Sequence, residues 1–137
     1  MHKAGLIAVM LLISSVHIAF GQEGEADGNA LLHRCSIVIK MADGQSASSP
    51  LDNLDAGMCM GVVRGTADVM SLWQSVDHGG QVDNSPIHGC LPDPLKTIEM
   101  VKVVVKYLND HPERLHVADT RLVLMALADA YPCKKSQ

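Results

Sequence analysis

The chain has 137 residues, of which 47% are hydrophobic and 19% charged, and its formal net charge is −4. This length fits a single domain, and the acidic balance speaks weakly against a nucleic-acid partner and weakly for a basic one. Only Phe20, Trp73, Tyr107 and Tyr131 are aromatic. The core is therefore expected to consist of aliphatic side chains and methionine.

The first 21 residues have the pattern of a secretory signal peptide. Lys3 precedes an apolar stretch that begins with Ala4–Leu12, and Ala19 and Gly21 place small residues before a cut at Gln22. A membrane anchor is the alternative, but acidic residues follow where basic stop-transfer residues would stand. We expect an exported, periplasmic protein with one domain over residues 22–137 and a net charge of −5 after cleavage. No later apolar run approaches the about 20 residues of a membrane span, so no membrane contact is expected after cleavage.

Hydrophobic periodicity predicts two helices in the first half. The first spans about Asn29–Met41. The second spans about Leu51–Gln74, with Ser49 as its cap and Pro50 at its first position. On the first helix one face is apolar: Leu31, Leu32, Cys35, Val38 and Ile39.

The second helix carries three glycines spaced four apart, Gly57, Gly61 and Gly65, although each glycine costs a helix about 1 kcal/mol relative to alanine. Apolar residues cover most of its circumference, which predicts a central helix contacted from more than one side. The glycines would let one neighbour approach closely, either the fourth helix or a second protomer. The alternative is that Gly57 simply lies near a frayed helix start.

The second half predicts a polar loop over residues 75–92 and two further helices. Loops of this length are usually functional or disordered. The third helix is expected to begin with Asp93 as its cap and Pro94 as its first residue, and to run to about Asn109. Asp110 and Glu113 have the spacing of a capping box, after which the fourth helix is expected to run to Tyr131.

All four cysteines, Cys35, Cys59, Cys90 and Cys133, follow the predicted cleavage site, and an even number in an exported chain predicts two disulfides. No CxxC pair is present, which argues against a zinc site. Residues at equal distances from the turn of an antiparallel hairpin lie side by side. Cys35 and Cys59 are centred on the connection after the first helix, and Cys90 and Cys133 on His111–Pro112. This favours Cys35–Cys59 and Cys90–Cys133, and hence an all-α bundle of about four helices in two antiparallel hairpins.

No motif for nucleophilic, metal or phosphate chemistry is present in the sequence. We therefore expect no enzyme activity and no cofactor. From the residues alone, the chain is a small exported helical domain held by disulfides.

Three stretches resemble the Rap/Tai family of periplasmic immunity proteins: "NALLHRC", "AGMCMGVVRGTADVM" and "HGCLPDPLKTIEMVKVVVKYLNDHPERLHVADTRLVLMALADAYPC". The resemblance covers about Gly28–Cys133. It implies a compact helical domain, often a homodimer, that protects the cell against peptidoglycan amidases delivered by type VI secretion. It also implies that a loop near the junction of the third and fourth helices enters the amidase cleft. The corresponding partner-binding residues are Asn109, Asp110, His111, Pro112, Glu113, Arg114, Leu115 and His116.

A second function class stays open: a small periplasmic acid-stress chaperone of the helical, disulfide-bonded kind. Its size and compartment are similar, and the acidic excess does not decide between the two. A hydrolase has no motif to support it. The resemblance favours an immunity protein that occludes an amidase.

Overall fold

The computed structural model describes residues 26–76 and 89–133. They form four α-helices: α1 (Gly28–Ala42), α2 (Pro50–Val76), α3 (Thr97–Asp110) and α4 (Asp119–Ala130), with a 3₁₀ turn at Pro112–Arg114 between α3 and α4. The described residues contain no strand and two isolated β-bridges, Asp27 with Ala118 and Gly89 with Pro132. The predicted all-α class is confirmed. The predicted signal peptide and most of the loop at 75–92 lie outside the described residues.

Helix α1 begins where Asp27 caps it, since the Asp27 carboxylate accepts a hydrogen bond from the Ala30 backbone N–H at 2.9 Å. That bond, followed by one from the Asn29 side chain, lowers the pKa of Asp27. Leu31, Cys35 and Val38 are buried, as the predicted apolar face requires.

Helix α2 begins at Pro50 as predicted, behind a compact serine–aspartate cap. The Asp52 carboxylate accepts from the hydroxyl and backbone N–H of Ser48, and the Ser49 Oγ accepts from the backbone N–H of Asp52 at 3.3 Å. The hydrogen bond from the Ser48 hydroxyl is the first cause that lowers the pKa of Asp52 to about 2. One face of the helix is buried: Ala56, Cys59, Val63, Thr66, Ala67 and Met70.

The expectation that this helix is contacted from more than one side is wrong for the described residues. Helices α1, α3 and α4 contact α2, but the residues they bury all lie on its cysteine-bearing face. Large apolar side chains elsewhere on α2 stay exposed: Leu51, Leu54, Met58, Met60, Val69, Leu72 and Trp73. A Cβ placed on Gly57, Gly61 or Gly65 would find no described atom within 4 Å. Helix α4 is therefore not the neighbour of these glycines.

Helices α3 and α4 begin later than the proline and acidic signals predicted. Asp93 and Pro94 precede α3, whose cap is Lys96; there the Glu99 carboxylate accepts from the Lys96 backbone N–H at 3.4 Å. The proposed capping box at Asp110 and Glu113 is also wrong, since those residues belong to the end of α3 and to the 3₁₀ turn.

Both disulfides form as predicted, with Cys35–Cys59 joining α1 to α2 and Cys90–Cys133 joining the segment before α3 to the segment after α4. Beside the second disulfide, the Cys90 backbone N–H donates to the Tyr131 carbonyl at 2.7 Å. Cys35 and Cys59 are fully buried at the centre of the core. None of the helices within residues 26–76 and 89–133 is both long and apolar enough to cross a membrane.

Candidate partner-binding site

The structure brings the eight predicted partner-binding residues into one tight turn between α3 and α4. Asn109 and Asp110 end α3, His111 follows as its C-cap, and Pro112–Arg114 form the 3₁₀ turn. Leu115 and His116 then lead towards α4. The side chains of five are exposed, and those of three are half-buried: His111, Arg114 and Leu115.

Tyr107, on the last turns of α3, supports the turn from beneath. Its ring is buried, with 7% of the residue exposed, and the His111 ring lies against it with 4.4 Å between ring centroids. The Arg114 guanidinium donates a hydrogen bond to the Tyr107 hydroxyl and lies 5.9 Å from the ring centroid, within the range of a cation–π contact. His111 and Arg114 are thereby held on one buried platform.

Glu113 joins the same two side chains at the surface. Its carboxylate lies 3.2 Å from His111 Nδ1 and 3.6 Å from Arg114 Nε. A hydrogen bond from its own backbone N–H is the main cause that lowers the pKa of Glu113, and His111 and Arg114 lower it further. The carboxylate is therefore ionised near neutral pH.

Backbone hydrogen bonds tie the far side of the turn to the start of α1. The Leu115 carbonyl accepts from the Asn29 backbone N–H and from the Asn29 side-chain amide, each at 3.2 Å. The Val117 carbonyl accepts from the Gly28 N–H at 3.0 Å. A Cβ on Gly28 would lie 2.6 Å from a Leu122 methyl group and 2.8 Å from the Leu115 Cα. Glycine is thus required here by close approach.

The end of α3 is fixed by contacts within the helix. The Asn109 side chain donates to the Val105 carbonyl at 2.9 Å, and Lys106 pairs with Asp110. The hydrogen bond with Asp110 raises the pKa of Lys106. The Asp110 carboxylate is therefore already paired with Lys106 of the same helix.

The turn presents mixed polar chemistry. Pro112, Glu113 and His116 are exposed, whereas Leu115 packs against the core. Among residues 26–76 and 89–133, no group of three His, Cys, Asp or Glu side chains could hold a metal ion. Such a turn can recognise a protein surface through donors, acceptors and one ionised carboxylate.

Sequence reasoning missed Tyr107 and the α1 residues that complete this site. Tyr107 lies seven residues before Arg114, and no motif in the sequence gives it a role. Asn29 is predicted only as the first residue of a helix, Gly28 lies just before that helix, and no local pattern reports a contact with residue 115. The three α2 glycines occupy a separate exposed face of the molecule.

A family model described as Rap1a immunity proteins matches residues 27–133, most of the chain. No curated protein and no solved structure gives a significant match.

Proposed function

The chain belongs to the Rap1a immunity protein family, and from that premise we propose that it protects its cell by binding and inhibiting a type VI secreted peptidoglycan amidase. Membership of the family implies an immunity protein directed at a secreted effector, and proteins of this kind act by binding. The proposal adds the class of the effector, the periplasmic compartment and the mode of inhibition. In that mode the turn at residues 109–116 occludes the catalytic cleft.

The observation that carries the mode of inhibition is the set of contacts that hold the turn in place. Tyr107 fixes His111 and Arg114 from below, and Asn29 holds the Leu115 carbonyl from the side. A binding loop that is already ordered loses less conformational entropy on association, so more of its contact energy contributes to affinity. The exposed side chains at the tip can then meet the polar groups of a hydrolase cleft.

Two features support the periplasm as the place of action. Two disulfides indicate an oxidising compartment, and the first 21 residues have the composition of an export signal. A peptidoglycan amidase acts in that same compartment. The proposal also includes a homodimer, for which the α2 face with Gly57, Gly61 and Gly65 gives a surface, since no described atom lies within 4 Å of a Cβ built on any of the three.

The test expresses a type VI secreted peptidoglycan amidase from the same genome in the periplasm, with and without the protein, and follows cell lysis. Purified components then give the inhibition constant. His116→Glu changes an exposed side chain of the turn, and we expect it to weaken inhibition about 10-fold or more, as losing 1.4 kcal/mol of binding energy would. Lys96→Gln is the matched control, because it changes net charge by the same amount at the opposite end of α3.

Equal inhibition by wild type and His116→Glu, joined by equal inhibition after Pro112→Gly, would refute the turn as the contact. Failure of the wild type to protect against the amidase would refute the effector class. If the wild type instead suppressed aggregation of unfolded client proteins near pH 2–3 and gave no protection, the chaperone function would replace the proposal. Circular dichroism of each variant checks that the helices are intact.

A further inference from the structure

The two disulfides differ in how far an external reagent can reach them. Cys35 and Cys59 are 0% exposed and lie within α1 and α2. Cys90 is exposed and Cys133 is half-buried, and both lie outside the helices. Thiol–disulfide exchange requires a thiolate to contact one of the two sulfurs, and exposed disulfides are the labile ones. In the folded protein an external thiol can therefore reach Cys90–Cys133, whereas the core shields Cys35–Cys59.

The exposed disulfide lies at a junction of three elements. Beside it, Gly89 is buried between α2 and α4, since a Cβ built there would lie 2.7 Å from the Met70 Cε and 3.0 Å from the Ala128 Cα. The Cys90 backbone N–H donates to the Tyr131 carbonyl at 2.7 Å, where α4 ends. The disulfide thus keeps the segment before α3 against α2 and α4. We call the disulfide together with residues 89 and 90 the latch.

The latch and the candidate turn lie at opposite ends of α3. Helix α3 has 14 residues, which corresponds to a length of about 20 Å. The contacts that hold the turn come from Tyr107 within the helix and from Asn29 at the start of α1. None of these described contacts includes a latch residue. Opening the latch would therefore leave the platform beneath the turn in place.

We propose that Cys90–Cys133 is a thiol–disulfide exchange site, attacked at the Cys90 sulfur by an external dithiol, and that its state sets the lifetime of the folded protein. Cys90 is the attacked residue because it is the more exposed of the two. The partner is a dithiol, because the freed Cys133 thiolate lies beside the mixed disulfide and reverses the reaction with a monothiol. A second thiol in the partner competes with that reversal.

The exchange proceeds in two displacement steps. A thiolate of the dithiol bonds to the Cys90 sulfur, the Cys90–Cys133 S–S bond breaks, and its electron pair leaves with Cys133 as a thiolate that takes up a proton. The second thiol of the dithiol loses its proton and attacks its partner sulfur in the mixed disulfide, which releases Cys90 as a thiolate that is protonated in turn. The protein gains two electrons and two protons, and the dithiol becomes a disulfide. Oxidation by a disulfide of the same class closes the latch again.

Opening the latch lowers the stability of the domain rather than the affinity of the turn. The disulfide joins residues separated by 43 positions, and its loss returns the entropy of that loop to the unfolded chain. Proteases cleave the transiently opened state, so degradation follows its population. The consequence for immunity rests on the proposed function, whereas the exchange site itself does not.

The first experiment compares the two disulfides within one molecule. Oxidised wild type is treated with dithiothreitol under native conditions, samples are quenched in acid and alkylated, and peptide mapping scores each cysteine pair. We expect Cys90–Cys133 to be reduced at least about 100-fold faster than Cys35–Cys59 in initial rate, because the buried pair must wait for the core to open. The buried pair is the internal control. Equal rates for the two pairs, which reduction through global unfolding would produce, would overturn the proposal.

The second experiment identifies the attacked sulfur. Glutathione is added to the oxidised protein, and the mixed disulfide is trapped in acid, alkylated with a maleimide and mapped. We expect glutathione on Cys90 and the maleimide on Cys133. The reverse distribution would refute Cys90 as the attacked residue.

The third experiment separates lifetime from binding. Cys90→Ala combined with Cys133→Ala removes the latch disulfide, and wild type reduced and alkylated at that pair alone replaces the variant if the variant does not fold. We expect proteolysis by thermolysin to be at least about 100-fold faster than for oxidised wild type, and the amidase inhibition constant to stay unchanged.

The outcomes distinguish the latch from the wider function. An unchanged rate of proteolysis refutes the effect on lifetime. Weaker amidase inhibition by protein whose helices are intact refutes the independence of the latch from the turn. If wild type inhibits no amidase, the proposed function fails, while the exchange and proteolysis measurements still decide the latch.

Discussion

Gly28 gives a sharp test of how tightly the candidate turn is held to α1. A Cβ on this residue would lie 2.6 Å from the Leu122 Cδ1, 2.8 Å from the Leu115 Cα and 2.9 Å from the Leu115 carbonyl oxygen. The leucine methyl group can rotate away. The Leu115 backbone cannot move without losing its two hydrogen bonds from Asn29. Gly28→Ala must therefore displace either the start of α1 or the turn.

The expected cost follows from overpacking a close contact, about 1–3 kcal/mol in the free energy of unfolding. For a domain of this size, each 1 kcal/mol changes Tm by about 4 °C, so Tm should fall by roughly 4–12 °C. Urea denaturation followed by circular dichroism gives the free energy. Hydrogen exchange of residues 115–117 reports whether the displacement reaches the turn, and we expect faster exchange there.

The same substitution elsewhere should have the opposite sign. Gly57 lies inside α2, and no described atom is within 4 Å of a Cβ built on it. Gly57→Ala should therefore raise stability by up to about 1 kcal/mol through helix propensity alone. If Gly28→Ala were as stable as wild type while Gly57→Ala behaved as expected, the packing of the turn against α1 would be too loose to preorganise it.

Three further predictions test single contacts. Tyr107→Phe keeps the ring but removes the hydroxyl that accepts a hydrogen bond from Arg114. We expect the free energy of unfolding to fall by about 1 kcal/mol and hydrogen exchange at residues 111–114 to become faster. Unchanged exchange would contradict the claim that Tyr107 holds the turn. Because the pKa of Asp52 is about 2 in the folded protein against an ordinary 3.8, its carboxylate stabilises the fold above pH 3.8 and this contribution is lost as pH falls towards 2. The difference in unfolding free energy between wild type and Asp52→Asn should therefore shrink from pH 6 to pH 2, and a constant difference would refute the cap. Replacing Cys90 and Cys133 by alanine removes the disulfide that closes a loop with a sequence separation of 43 residues. The free energy of unfolding should fall by about 4 kcal/mol through loop entropy. An unchanged denaturation midpoint would show that the stability of the α3–α4 hairpin does not depend on this disulfide.

The disulfides and the helix faces could be predicted because each depends on local spacing. Cys35 and Cys59 are equidistant from a turn, and in an antiparallel hairpin this alone brings them together. Leu31, Cys35 and Val38 recur at helical intervals, so their burial on one face follows from the 3.6-residue period of the α-helix. Such arguments need only the positions of residues along one element or one hairpin.

The face of α2 that carries Gly61 and Gly65 could not be assigned a neighbour from the sequence. Hydrophobic periodicity shows which faces of a helix are apolar, but it does not show what covers them. Apolar residues around most of α2 predicted a helix surrounded by its own chain. The described helices all pack on the side that bears Cys59, and the face with Gly61 and Gly65 is left exposed. An intramolecular neighbour and a second protomer produce the same pattern in one sequence.

The predictions of where α3 and α4 begin were wrong for a different reason. Pro94 is a good first residue for a helix, and Asp110 with Glu113 has the spacing of a capping box. Both signals are permissive, and competing local contacts within α3 override them. Glu99 caps α3 at Lys96, and Lys106 engages Asp110. The segment left between the two helices became the 3₁₀ turn, which is the candidate binding element.

The boundaries of the family match agree with what the turn requires physically. The matched segment begins at Asp27, which caps α1, and ends at Cys133, which closes the second disulfide. The described contacts that hold the turn lie between them: Asn29 from α1 and Tyr107 from α3. These residues are far apart in sequence and meet only when the whole helical unit is folded. A turn cut from the chain would lack its platform and its anchor, so inhibition by the isolated peptide would be weak for an entropic reason.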